Sequence, residues 1–163
     1  MGQNAPLFCF TWGKLLESLE LEKRISEFAL SMGLRLISVH MTSLRKKFQI
    51  RILADAEDHN ITIAECAALS RTAGDFLDSY PHEFPDYKLE VSSPGLNTAL
   101  KDWQVKKNIG HKVTVKYRAD GKHQRIEGTL NHYENGTVVI STESQEQHFE
   151  LKTIEGLYVQ PEF

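Results

Sequence analysis

Cysteine is nearly missing from this chain: Cys9 and Cys66 are the only two among 163 residues, and they stand in no paired or ligand-like spacing. A disulfide framework and a cysteine-built zinc site are thereby excluded, and a reducing, cytoplasmic setting suits the sequence best. Long apolar runs are missing too. Residues 1–13 hold Leu7, Phe8, Phe10 and Trp12 without a basic leader, a patch too short for a signal peptide or a membrane span. Gly2 opens no myristoylation pattern, because Pro6 stands where Ser or Thr is wanted. The glycines include no GXXG pair and no phosphate-cradling loop ahead of a helix, no serine lies in a nucleophile elbow, and the histidines are scattered. Nucleophile, general base and metal set are missing together. The expectation is therefore a protein that is not an enzyme and uses no cofactor or metal.

What is present is the balance of a globular protein, with 40% hydrophobic and 25% charged residues, enough for one ordinary domain or two small ones. The formal charge of −3 hides an uneven distribution. Residues 1–96 carry 10 bases against 13 acids, and residues 97–163 carry 9 of each. Within the latter, residues 101–125 hold 8 bases and 2 acids, whereas residues 126–163 hold 1 base and 7 acids. A neutral domain can still present a basic face if the fold separates these stretches.

Leu15, Leu16, Leu19, Ile25, Phe28, Ala29 and Met32 recur at three- and four-residue steps, which predicts an amphipathic helix from Lys14 to Met32 that Gly33 can end. Leu34 to Met41 reads as a strand, and Phe48, Ile50 and Ile52 alternate with Gln49 and Arg51 in a second. Together they make a hairpin whose basic tip, Arg45, Lys46 and Lys47, reads most simply as a solvated loop. Asp55, Glu57, Asp58, His59 and Asn60 do not make a calcium loop, since Asn60 replaces the required glycine and Cys66 the bidentate glutamate; they read as a solvated turn. Thr62 and Glu65 have capping-box spacing, with Ile61 placed to staple to Cys66. The helix they start continues through Leu69, Ala73, Phe76 and Leu77, with Cys66 as a small core residue. Tyr87, Leu89 and Val91 then alternate with Lys88, Glu90 and Ser92, and Ser93-Pro94-Gly95 ends that strand with a bend.

This order predicts an α+β fold that begins with an α-β-β-α-β sandwich, a three-stranded sheet with two helices on one face. The order resembles that of one class of KH domain, without its glycine grip on the backbone of RNA. A short helical piece from Ala99 to Lys107 follows. Strands are then expected through Val113, Val115 and Tyr117, from Ile126 to Glu134 with a bend at Gly128, from Thr137 to Thr142 after an Asn135-Gly136 type I′ turn, from Gln147 to Leu151, and from Leu157 to Val159. Five short strands of this kind predict a small SH3-like or Sm-like β-barrel. The expected division is an arm at 1–13, an α+β domain at 14–92, a linker at 93–98 and a barrel domain at 99–163. An ordinary strand and turn within one domain is the alternative at the seam.

The run Leu89, Glu90, Val91, Ser92, Ser93, Pro94, Gly95, Leu96 resembles the signature that ends the first domain of the bacterial ribosome maturation factor RimP family. Asp55, Cys66, Ser70, Arg71, Leu77 and Asp78 also sit where sequences of that family tend to have them. The family usually continues Asp-Arg-Pro-Leu, where this chain reads Asn97, Thr98, Ala99, Leu100, so no role is carried to Asn97 or Thr98. The resemblance implies a barrel as second domain and a non-catalytic assembly factor that binds the free small (30S) ribosomal subunit and aids its late maturation. It further implies ribosomal RNA and a small-subunit protein near the decoding centre as partners. A monomer is expected, with no membrane partner.

The basic stretch supplies the candidate surface. Lys112, Lys116 and Arg118 share one face of a strand whose other face carries Val113, Val115 and Tyr117, while Lys122 and Arg125 belong to the loop and strand that follow. Such a row could sit along RNA phosphates, or be no more than a solvated face. Ser92, Ser93, Pro94, Gly95 and Leu96 are expected to form the joint between domains. Two other readings stay open: a single-stranded RNA module that stacks bases on Tyr117 and Tyr133, and a protein-interaction adaptor using sheet edges.

Overall fold

The computed structural model describes residues 8–45 and 47–161, apart from the side chains of residues 8–17 and of Leu44. The chain divides into two compact units between Ser93 and Pro94. In the first unit, helix α1 (Phe8–Ser31) leads into strands β1 (Leu34–Leu44) and β2 (Lys47–Ala56), then helix α2 (Ile63–Asp78) and strand β3 (Tyr87–Ser92). The helix thus starts six residues ahead of the expected Lys14, within the stretch expected to be an arm. Residues 1–7, Lys46 of the basic tip, and the side chains of Leu15 and Leu16 lie outside the described residues.

The sheet order is β1-β2-β3, with β1 antiparallel and β3 parallel to β2. A parallel pair needs a crossover, and α2 supplies it. On β2, Ile50, Ile52, Ala54 and Ala56 are all fully buried, and they share one core with Leu21, Ile25 and Ala29 of α1 and Leu69, Ala73 and Leu77 of α2. Both helices therefore pack on the same face, as the binary pattern requires. Leu19, expected on that apolar side, is instead 57% exposed. Strand β1 keeps its apolar side inward by a bulge between Leu36 and Ser38. The extra residue shifts the phase, so Leu34 and Leu36 face the core before it and Val39 and Met41 after it.

Thr62 caps α2 as the spacing demands: its hydroxyl accepts from the Glu65 amide at 3.2 Å, and the Glu65 carboxylate accepts from the Thr62 amide at 2.8 Å. The preceding acidic loop is solvated as expected at Glu57, Asp58, His59 and Asn60 and departs from that reading at Asp55. Asp55 is buried and accepts from the amides of Ala56 at 3.0 Å and Ile61 at 3.1 Å, so it braces the loop from inside. His59 bridges Asp58 at 2.7 Å and Glu65 at 3.0 Å, and Arg35 pairs with Glu57. Cys66 is only half-buried, and burial together with the nearby carboxylates raises its thiol pKa.

The second unit opens with helix α3 (Asp102–Val105) and a 3-10 turn (Lys106–Asn108). Strands β4 (Lys112–Ala119), β5 (Lys122–Glu134), β6 (Thr137–Ser141), β7 (Glu146–Glu150) and β8 (Gly156–Val159) follow. They form one antiparallel sheet in the order β7-β6-β5-β4-β8 over a core of Val105, Val113, Val115, Leu130, Val138, Ile140 and Leu157. The expected strands are present, but the sheet is open, which corrects the expectation of a closed SH3-like or Sm-like barrel: β7 and β8 are its two edges and share no ladder. The Glu155 amide donates to the Lys116 carbonyl at 2.8 Å where β8 joins β4, and the other edge of the four-residue β8 has no strand beside it among the described residues. Asn135 and Gly136 have φ of 51° and 81°, the pair of positive values that a type I′ turn needs.

Candidate nucleic-acid interface

Strand register decides which side chains of the basic stretch meet. In the β4–β5 ladder Lys112 faces Thr129, Thr114 faces Glu127, Lys116 faces Arg125 and Arg118 faces His123. Successive side chains alternate, so these eight residues share one face, opposite the face of Val113 and Val115. On the other flank of β4, Gly156 pairs with Lys116 and Tyr158 with Thr114, so β8 extends the same face. Lys112, Lys116, Arg118 and Arg125 thus stand together and exposed. Lys122 does not join them. It pairs with Ala119 at the hairpin end, in the phase of the opposite face.

Carboxylates partly neutralise this row. Arg118 lies 3.7 Å from Glu155, and His123 bridges the two, 3.1 Å from the Arg118 guanidinium and 2.9 Å from Glu155. Arg125 pairs with Glu127, and that bond, with a second from Gln160, holds the Glu127 carboxyl below its ordinary range. Both pairs are exposed, with side chains 38–61% accessible. Such exposed, solvent-screened pairs contribute little to stability, so an incoming phosphate can take over the arginines at little cost.

Lys116 is held differently. Its ammonium sits 4.6 Å from the centre of the Tyr158 ring, and the ring can lie there because Gly156 beneath it has no Cβ: one would fall 2.7 Å from the ring. Around them runs an open groove of about 650 Å³ lined also by Thr114, Arg125, Glu127, Gln160 and Pro161, with Leu96 and Asn97 from the start of this unit. The Gln160 amide donates to the Thr114 hydroxyl at 3.0 Å and closes one side. Thr114, Tyr158 and Gln160 were not singled out from the sequence. Only the pairing of β8 with β4 brings them beside the lysines, and no local pattern carries that pairing.

Tyr117 and Tyr133, the expected stacking platforms, are committed elsewhere. Tyr117 packs on Phe149 with ring centres 5.1 Å apart, Tyr133 donates its hydroxyl to Asp102, and both pack against the core of the unit. Both rings remain partly accessible. At the expected joint, Ser92 ends β3 opposite Leu53, Gly95 has φ of 67°, and Leu96 is 47% exposed. The Thr98 hydroxyl donates to the Pro94 carbonyl at 2.6 Å, a local closure of the turn made by one of the residues that depart from the family's Asp-Arg-Pro. No group of three or more potential metal ligands occurs among the described residues, and no described helix is long and apolar enough to cross a membrane.

In a comparison with known protein families, residues 24–97 match the family described as the RimP N-terminal domain. The matched span runs from within α1 through β3 to the turn at Asn97, so it includes the whole three-stranded sheet and the Leu89–Leu96 run.

Proposed function

We propose that this chain, whose residues 24–97 match the RimP N-terminal domain, is a ribosome maturation factor of that family that binds the free small (30S) ribosomal subunit and promotes its late maturation. The family match is the observation that carries this reading. The chain acts by binding rather than by turnover, as a cytoplasmic monomer. Its ribosome-facing surface is the exposed row Lys112, Lys116, Arg118 and Arg125, without Lys122, and its partners are ribosomal RNA and a small-subunit protein near the decoding centre. Ser92, Ser93, Pro94, Gly95 and Leu96 act as the joint that sets domain orientation. What supports the surface assignment is that four bases share one face of β4 and β5 against two carboxylates that are themselves exposed.

The test is co-sedimentation of the chain with free small subunits, large subunits and whole ribosomes over a salt series. Retention is expected on the free small subunit alone, falling as salt rises and falling further in a Lys116→Glu, Arg118→Glu double variant. Equal retention on all three particles, or none, would overturn the proposal. Retention that ignores both salt and the double variant would remove the basic face from it.

A further inference from the structure

We propose a second binding site on the first unit, independent of the ribosome-binding reading: a pocket between α1 and the end of α2 that takes a single Arg or Lys side chain from a basic polypeptide segment. Leu21 of α1, Phe76 and Tyr80 at the end of α2, and Phe84 in the turn after it line an apolar hollow, with Glu20 and Glu83 at its rim. The aromatic walls are braced from behind. Phe76 stands edge-on to Phe28 at 5.7 Å and Phe84 edge-on to Phe48 at 5.5 Å, while Tyr80 leans on Phe76 at 5.1 Å. The turn that carries the set is fixed by its backbone, since the amides of Glu83 and Phe84 both donate to the Tyr80 carbonyl, at 3.2 and 2.9 Å.

Size and charge together choose the ligand. The hollow measures about 200 Å³. Sites for small organic ligands run from roughly 300 to 1,000 Å³, so this one suits a single long side chain. Both rim residues are exposed, and no hydrogen bond or ion pair within the described residues engages either carboxylate. Ring faces attract cations, and carboxylates beside them add charge-assisted hydrogen bonds to a guanidinium or ammonium. An aliphatic side chain would desolvate the two carboxylates without return, and a phosphate would be repelled. The stem of an arginine or lysine covers the apolar floor while its head reaches the rim. Nucleic acid is thereby disfavoured at this pocket, in contrast to the basic row of the second unit.

The experiment is a titration of the ¹⁵N-labelled full chain with Nα-acetyl-arginine amide, and in parallel with the lysine and leucine derivatives and a short single-stranded RNA. Saturable shifts are expected at the amides of Tyr80, Glu83 and Phe84 with the arginine and lysine derivatives only. A Glu20→Gln, Glu83→Gln double variant is expected to weaken them by about tenfold, as loss of one charge-assisted contact implies. Both substitutions are at exposed positions, and the same spectra report whether the fold is kept. Absence of shifts at these amides, an equal response to the leucine derivative, binding unchanged in the double variant, or RNA shifting the same amides would each overturn the site.

Discussion

Replacing Gly128 by alanine would place one methyl group where β6 already runs. Gly128 stands opposite Val113 on the inward face of β5, and a Cβ there would lie 2.4 Å from the Ser141 carbonyl oxygen, 2.8 Å from Ile140 Cγ2 and 3.0 Å from the Ser141 carbonyl carbon. Two of those atoms are backbone, and Ile140 is fully buried, so none is the free end of a flexible side chain. Overpacking of a tight core costs roughly 1–3 kcal/mol, and the backbone collision puts this site at about 3 kcal/mol or above. A unit of this size holds on the order of 7 kcal/mol, so nearly half of its stability would go. At about 4–8 °C per kcal/mol, the melting temperature of the second unit should fall by something on the order of 15 °C. Urea unfolding followed through core amides resolves the two units, with Val115 and Leu157 reporting on the second and Ile52 on the first. The control is Gly136→Ala, which meets no atom within 4 Å and incurs only the strain of φ +81°, about 1–2 kcal/mol. Equal midpoints for Gly128→Ala and the parent chain, with unchanged slopes, would refute the crossing of β6 over Gly128. A loss no greater than that of Gly136→Ala would do the same.

Two further outcomes follow from individual hydrogen bonds. The Tyr87 hydroxyl donates to Asp78 at 2.7 Å and lies 3.2 Å from the Gly74 carbonyl, and burial first, then Asp78, pushes its pKa up to about 12. Tyr87→Phe is expected to lower stability by about 1 kcal/mol. Because the folded value is raised, the contribution is complete below the ordinary value near 10 and is lost as pH rises from there to about 12; a tyrosine absorbance titration with no late-titrating group would contradict this. The His59 pKa is raised, chiefly by its hydrogen bond to Asp58 and then by that to Glu65. Its stabilising effect should therefore be full below the ordinary histidine range and vanish as pH rises through the raised value. An NMR titration placing the His59 ring at or below that ordinary range would show the bridge absent in solution.

Much of the first unit was legible because its signals are local. The three- and four-residue steps of α1, the Thr62–Glu65 box and the alternation in β2 and β3 each act within a few residues. Asp55 was misread because its partners are backbone amides: no side-chain pattern marks a carboxylate that folds back onto Ala56 and Ile61. Leu19 was misread because a three-and-four repeat tolerates one residue at the margin of the stripe. Closure of the second sheet was beyond reach for a different reason. Strand number and the Asn135-Gly136 turn are sequence properties, whereas whether the edge strands β7 and β8 meet depends on the coiling of the whole sheet, which no local pattern carries.

The candidate surface divides along the same line. Phase along β4 is a property of one strand, so Lys112, Lys116 and Arg118 were placed together from the sequence. The position of Arg125 relative to them depends on the hairpin register. The two-residue turn Asp120–Gly121, with φ of 50° and 73°, fixes that register and sets Arg125 directly across from Lys116. The same register sends Lys122 to the other phase, so counting bases along the chain overstates the row. Composition overstates it again, because the acids of residues 126–163 do not all lie apart: Glu127 and Glu155 fold back onto the two arginines. Among the described residues the lysines have no such carboxylate partner, and Lys116 is steadied by a ring rather than a counter-ion. A phosphate arriving at this face would therefore meet Lys112 and Lys116 first and gain the arginines only by displacing Glu127 and Glu155. That exchange makes the salt dependence of binding shallower than four bases acting alone would give, at about 0.7–0.9 per phosphate neutralised.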